Sequence, residues 1–316
     1  MKVVSTSPTF ARYSEEPIRL LEAEGIEVVR IPPQVEGPEF WAAVEDADAL
    51  IVAYTPINED LLKRVPRLKI VCKHGVGVDN IDLEATRKRG VWVTNVPDGN
   101  TTAVADFTFS LMLALARRVE ETSRRTKAGE WPQVVGGEVG GKTLGVVGLG
   151  RIGKEVVRRA GGFGMNVLAF DPYPDHGFAR ENGVSFKALE ELLRHSDFIS
   201  LHMPLTDTTR HLIGAAELGV MKPSSCLINA SRGGLVDEIA LYDALKEGRL
   251  AGAALDVFEH EPAREHSLFS LDNFIATPHA AGYTREAITN VGIACARNVS
   301  DVLVRGLRPR SVVNGM

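Results

Sequence analysis

The stretch KTLGVVGLGRIGKEVVRRAGGFGMNVLAFD, residues 142–171, decides how this chain folds. It reads as a short apolar strand, Leu144 to Val147, then the triplet Gly148, Gly150 and Gly153, a helix of mixed Val, Arg and Lys, and a second strand ending in Asp171. Gly148 permits a tight turn out of the strand, Gly150 lets the backbone approach a pyrophosphate, and Gly153 removes a side chain where helix presses on sheet. The helix start offers free N–H groups and a positive dipole end to phosphates. Asp171 stands where a carboxylate accepts hydrogen bonds from a ribose diol and repels a 2′-phosphate, which sets NAD ahead of NADP. Arg151, inside the motif, either pairs with a phosphate oxygen or is a solvated surface charge. A glycine triplet alone is weak evidence, but strand, helix and terminal acid supply the context that confirms it.

Outward from that stretch, composition sets bounds. At 316 residues the chain is long enough for two domains. A 44% hydrophobic and 24% charged content suits a globular protein, and a net charge of -5 gives no footprint for nucleic acid. The opening MKVVSTSPTF enters a strand directly and lacks the apolar core of a signal peptide, and no later run reaches membrane-spanning length, so a cytoplasmic location without membrane partners is expected. Cys72, Cys226 and Cys295 are far apart in apolar surroundings and read as buried small hydrophobes, with a catalytic thiol at Cys226 as the alternative. No His, Cys and Asp spacing suggests a metal site.

Strand and helix alternate from the N-terminus. Lys2 to Thr6, Ile26 to Ile31, Ala49 to Ala53, Lys69 to Cys72 and Val91 to Thr94 are strand-like, and Ser14 to Pro17 starts a helix that Gly25 ends. One long helix is expected from Thr101 to about Ala128, with Val104, Phe107, Leu111 and Leu115 at helical spacing, followed by a loop rich in glycine at Gly136, Gly137, Gly140 and Gly141. Further strands are expected at Phe198 to His202, Cys226 to Asn229, Ala253 to Val257 and Phe274 to Ala276, with a last helix from about Thr284 to Gly306. This alternation predicts an α/β protein of two doubly wound parallel-sheet, Rossmann-like domains with a cleft between them. The expected division is 1–99 plus 284–316, a flavodoxin-like substrate domain, and 100–283, a dinucleotide-binding domain. The last helix is assigned to the first domain because that domain shows few helices of its own, and two chain passes make a hinge.

Residues able to do chemistry fall at the carboxyl ends of the later strands. Arg232 lies in Asn229-Ala230-Ser231-Arg232-Gly233-Gly234, Glu261 follows the strand through Asp256, and His279 follows the last. An arginine fork can hold a carboxylate and polarise a carbonyl, while a histidine gives or takes a hydroxyl proton as a hydride moves. A carboxylate beside the histidine would favour its charged form and move its pKa upward from about 6.5. Taken singly, each residue has a plainer reading: a structural histidine, a surface acid, an arginine neutralising Asp237 or Asp256. His202, His260, His266 and Lys73 read as scaffold or rim, although Lys73 and His74 flank a glycine loop.

The chain resembles the D-isomer-specific 2-hydroxyacid dehydrogenases, most closely the phosphoglycerate dehydrogenase branch. The matching stretches are HGVGVDNIDL (74–83), NTTAVAD (100–106), GKTLGVVGLGRIG (141–153), NASRGGLVDE (229–238), GAALDVFEHEP (252–262) and TPHAAGYT (277–284). The resemblance implies NAD as cofactor, Arg232, Glu261 and His279 as catalytic trio, and substrate contacts from Gly75, Val76, Gly77 and Arg232. It implies cofactor contacts from Val76, Thr102, Gly148, Gly150, Arg151, Ile152, Gly153, Asp171, Met203, Pro204, Ala230, Ser231, Asp256 and Ala281. It also implies a homodimer formed through an extended arm between Thr101 and Gly140. Two departures bear on substrate. Ala53-Tyr54-Thr55 stands where the branch commonly carries an arginine for the substrate phosphate, and too little sequence follows the last helix for a regulatory domain, so feedback by serine through one is not expected. The expected substrate is 3-phosphoglycerate, with glyoxylate, hydroxypyruvate or another small 2-oxo acid as the alternative. From another class, the resemblance extends to NAD-sensing corepressors, which would make the chain an interaction module.

Overall fold

A computed structural model describes residues 1–32 and 37–316, and the chain divides into two compact units, Met1–Asn100 with Tyr283–Met316, and Thr101–Gly282. The first unit runs β1 (Lys2–Ser5), α1 (Glu16–Glu22), β2 (Glu27–Arg30), α2 (Gly37–Val44), β3 (Ala49–Val52), α3 (Glu59–Arg64), β4 (Ile70–Lys73), α4 (Leu83–Lys88) and β5 (Trp92–Thr94). Its sheet is wholly parallel in the order β2-β1-β3-β4-β5, the flavodoxin-like winding. The central strand Ala-Leu-Ile-Val of β3 is buried at every position, as helices on both faces require. Asn58 and Asp82 start α3 and α4 by accepting from Leu61 N at 2.9 Å and Ala85 N at 2.8 Å. Those side-chain caps let helices of six residues stand between strands, and they correct the expectation that this unit is poor in helices.

The second unit begins with α5 (Thr101–Ala116) and α6 (Val119–Lys127). One continuous helix is expected here, but the chain breaks at Arg118, which takes a left-handed φ of 50°. The cause is local competition: the Ala116 carbonyl accepts from Gly137 N at 2.7 Å, so the glycine loop takes over a bond that would have continued the helix. The apolar spacing also ends at Leu115, and α6 buries no residue. There follow β6 (Thr143–Val147), α7 (Arg151–Gly162), β7 (Asn166–Phe170), α8 (His176–Asn182), β8 (Val184–Phe186), α9 (Leu189–His195), β9 (Phe198–Leu201), α10 (Ala215–Val220), β10 (Cys226–Asn229), α11 (Glu238–Lys246), β11 (Gly252–Leu255) and β12 (Phe274–Ala276). The parallel order β12-β11-β10-β9-β6-β7-β8 reverses direction between β6 and β9, which defines a topological switch point at the carboxyl edge. Among the strands of the described residues, only β8, three residues with one buried side chain, has no counterpart in the sequence reading.

The last helix, α12 (Arg285–Leu303), is capped by Thr284 Oγ1, which accepts from Ala287 N at 3.0 Å. It belongs to the first unit, where Val291, Cys295, Ala296 and Val299 share a core with Val3, Ile51, Ile70 and Cys72. All three cysteines are buried and unbridged.

Candidate active site

At the switch point the three glycines serve different physical ends. Gly148 has a φ of +98°, and a Cβ there would lie 2.7 Å from the His202 carbonyl. A Cβ on Gly153 would stand 2.2 Å from the Gly148 carbonyl oxygen, so the first turn of α7 packs on bare backbone. At Gly150 an added Cβ meets no protein atom within 4 Å, which leaves open space directly before the helix start. The first rung of the helix is Lys154 N on Gly150 O at 3.0 Å, so the amides ahead of it have no intrahelical acceptor. That start fits a pyrophosphate. Arg151 is exposed, and Ile152 packs against a small apolar cluster of Val104, Ala230 and Ala281.

Asp171 follows β7 directly. Its Oδ2 accepts from Leu149 N at 2.6 Å and its Oδ1 from Tyr173 N at 2.8 Å, which fixes the carboxylate beside the glycine turn. After β9 the Met203 sulfur lies 3.0 Å from the Cβ position of Gly148, and the Pro204 carbonyl accepts from Thr209 Oγ1 at 2.7 Å. Thr102 lies in the first turn of α5, its carbonyl 3.5 Å from Arg159 Nη2.

The ends of β10, β11 and β12 carry the polar constellation. Asn229 is buried and shapes the turn after β10: its Oδ1 accepts from Ser231 N at 3.0 Å and Ser231 Oγ at 2.8 Å, while its Nδ2 donates to Arg232 O at 2.8 Å. Sequence reasoning missed this residue, although an Asn closing a strand before a turn is the signal of such a motif. Arg232 Nη1 donates to Ser231 O at 2.6 Å. Asp256, fully buried, has Oδ1 on Thr277 Oγ1 at 2.6 Å and Ala280 N at 2.8 Å, and Oδ2 on Ala281 N at 2.9 Å. That clamp holds the loop in which His279 adopts a left-handed φ of 53°, an uncommon conformation for a non-glycine residue.

His279 Nδ1 lies 2.8 Å from Glu261 Oε2, with the two side chains 40% and 33% exposed. An ionised Glu261 can only accept, so the ring proton sits on Nδ1 and Nε2 is the nitrogen left for chemistry. Burial works to raise the Glu261 pKa, but the hydrogen bond and charge of His279, the Phe258 N–H at 3.0 Å and the Arg232 guanidinium together hold it below the usual carboxylate value. Arg232 and His279 therefore both act on the Glu261 carboxylate, His279 by a direct hydrogen bond and Arg232 by its charge. His202 differs sharply: it is half-buried, bonded through Nε2 to Ser200 Oγ at 2.8 Å, and its pKa is pushed down to about 4 by desolvation of the ring.

In the first unit, Gly75 has a φ of +155°, its carbonyl accepts from Val96 N at 2.9 Å, and the Val76 carbonyl accepts from Asn95 Nδ2 at 2.7 Å. Gly77 closes this short turn after β4. The Lys73 ammonium donates to the Ala53 carbonyl and to Asn80 Oδ1 at 2.6 Å. His74 is half-buried with Nδ1 3.0 Å from Ser7 Oγ, and desolvation with the neighbouring Lys73 charge takes its pKa down to about 4. Among the described residues, no group of three or more His, Cys, Asp or Glu is arranged to hold a metal, and no helix is long and apolar enough to cross a membrane.

Fold and site together define a doubly wound dinucleotide-binding protein with an acid–base pair at the carboxyl edge of its larger sheet. Residues 109–281 match the D-isomer specific 2-hydroxyacid dehydrogenase, NAD binding domain family. The chain belongs to the D-isomer specific 2-hydroxyacid dehydrogenases. It is 43% identical to D-3-phosphoglycerate dehydrogenase of Methanocaldococcus jannaschii over 99% of this chain, and it spans only 59% of that relative's length. It is 45% identical to glyoxylate reductase of Korarchaeum cryptofilum, covering 86% of this chain and 84% of the other. Among solved structures, the TT0316 protein from Thermus thermophilus superposes with a TM-score of 0.88 at 37% identity, covering 99% of this chain and all of that one.

Proposed function

We propose that the protein interconverts a D-2-hydroxy acid and its 2-oxo acid. NAD, when bound, supplies or accepts the hydride. Gly148, Gly150, Gly153 and the start of α7 would hold its pyrophosphate and Asp171 its ribose, with Thr102, Arg151, Ile152, Met203, Pro204, Ala230, Ser231, Asp256 and Ala281 lining the rest and Val76 contributing from its own turn. Arg232 holds the substrate carboxylate and draws electron density from the carbonyl, and the Gly75-Val76-Gly77 turn offers N–H groups suited to a carboxylate. In reduction His279 Nε2 gives its proton to the carbonyl oxygen, and in oxidation it takes the hydroxyl proton back. Glu261 holds the ring in the tautomer this requires and stabilises its charged form. The observation that carries the reading is the 2.8 Å Glu261–His279 pair. The test is NADH consumption across a panel of 2-oxo acids, and cofactor binding without turnover on any of them defeats it.

For the substrate, we propose 3-phosphoglycerate and its 2-oxo partner. Similarity to a phosphoglycerate dehydrogenase over 99% of this chain, though over only 59% of that relative's length, supports this. So does the Lys73 ammonium, which reaches the end of β3 where the resembling branch carries an arginine. Similarity to glyoxylate reductases across most of their length favours the smaller acid as the second reading. Lys73→Met decides between them: on the first reading kcat/KM for the phosphorylated acid falls about tenfold or more while glyoxylate is unaffected. Equal losses on both acids favour the second. We also propose a cytoplasmic homodimer joined through residues 101–140, whose Trp131 and Val135 are 91% and 86% exposed; a monomeric mass in light scattering would refute the dimer.

A further inference from the structure

Glu238, the first residue of α11, is 12% exposed, and its two oxygens reach two other segments. Oε1 accepts from the backbone N of Glu259 at 2.7 Å, and Oε2 lies 2.9 Å from His266 Nε2. Because His266 Nδ1 accepts from Leu268 N at 3.3 Å, Nε2 carries a proton and donates it to Glu238. The helix does not need this carboxylate as a cap, since Asp237 Oδ1 already accepts from Ile239 N at 3.0 Å and Ala240 N at 3.1 Å. Nor does Glu259 hold itself in place locally, since its own side chain is turned away onto His211 at 2.5 Å.

The chain from Arg232 to Glu238 therefore meets the chain from Phe258 to Glu261 twice. At Gly233 the approach is backbone on backbone, where a Cβ would lie 1.9 Å from the Phe258 carbonyl oxygen. At Glu238 it is a carboxylate on an amide. Between these contacts Phe258 N donates to Glu261 Oε1 at 3.0 Å. We propose that Glu238, held by His266, is a positioning residue that sets the spacing of Glu261 from the Arg232 turn and, through Glu261, the orientation of His279. This rests on the catalytic reading of Arg232, Glu261 and His279 given above.

The experiment uses the whole chain with NADH and the best 2-oxo acid of the panel. Glu238→Ala should lower kcat about ten- to a hundredfold, the scale of a small misplacement of reacting groups, with KM and NADH affinity within about twofold. The acidic limb of its pH–rate profile should move to higher pH, because Glu261 would meet its charged neighbours His279 and Arg232 less well. In a Glu261→Gln background, Glu238→Ala should add less than about twofold, since both act on one ring. His266→Gln, which can still donate to Glu238, should keep turnover that His266→Ala loses, and this pair decides the matter if Glu238→Ala does not fold. Unchanged turnover in Glu238→Ala, or losses that multiply with those of Glu261→Gln and leave the pH profile in place, would overturn the inference. Full turnover in Glu261→Gln would instead overturn the catalytic reading on which it rests.

Discussion

The carboxyl edge of the seven-stranded sheet has two halves built on opposite principles. Beyond β6 and β7 the site is made of what is missing: no side chain at Gly148, Gly150 or Gly153, and no intrahelical acceptor for the first amides of a helix. Beyond β10, β11 and β12 it is made of side chains, each held by another, Arg232 by the Asn229 turn, His279 by Glu261, and the loop of His279 by Asp256. The strand between them, β9, is followed by His202, a half-buried ring that desolvation keeps neutral. Binding a pyrophosphate asks only for directed N–H groups and clearance, whereas moving a proton asks for a group whose charge and direction are set by neighbours.

The sharpest way to break this division is His279→Ala. Turnover should fall about a hundredfold or more, the usual worth of a general acid–base, while NADH titration by fluorescence returns an unchanged affinity. A variant that loses cofactor binding in step with turnover would show that the two halves are not separable.

Next in size is the response of the fold to acid, which two histidines outside the catalytic trio should carry. His202 and His74 fall from 6.5 in the unfolded chain to about 4 in the fold, chiefly through burial. Between those values the unfolded chain binds the proton and the fold does not, so stability is whole above about 6.5, declines as pH drops and levels off below about 4. At pH 5 each desolvated ring should cost about 2 kcal/mol relative to neutral pH. His202→Gln should flatten its share of that loss in chemical unfolding measured at both pH values. Equal pH slopes for the two proteins would mean His202 is not the neutral, desolvated group described.

The same division explains what could be seen in the sequence. The half made of glycines lies within thirty contiguous residues and follows local rules, so strand, turn, helix and acid are legible together. The half made of side chains is spread from Asn229 to Ala281, and only parallel pairing in register, Asn229 beside Leu255 and Leu255 beside Ala276, brings the three strand ends level. Arg232, Glu261 and His279 could be marked as candidates because their strands could be ordered. The supports could not: Glu238 and His266 meet across segments whose contact no local spacing encodes. The break at Arg118 was hidden for a similar reason, since its cause, the Gly137 amide on the Ala116 carbonyl, comes from a loop twenty residues on. Short helices of the first unit escaped because their caps, Asn58 and Asp82, precede segments too brief to show a period.

The smallest expected effect tests whether any side chain matters in the backbone half. Asp171 already accepts from Leu149 N and Tyr173 N, so its carboxylate is fixed beside the glycine turn. If it receives the ribose hydroxyls, Asp171→Ala should weaken NADH binding and relieve repulsion of a 2′-phosphate, narrowing the preference for NADH over NADPH about tenfold, the worth of one hydrogen bond to a charged group. Parallel titrations with the two cofactors read this directly. An unchanged ratio would assign Asp171 to the turn alone, its two backbone bonds being its whole purpose, and would leave the glycine half without any specificity-bearing side chain.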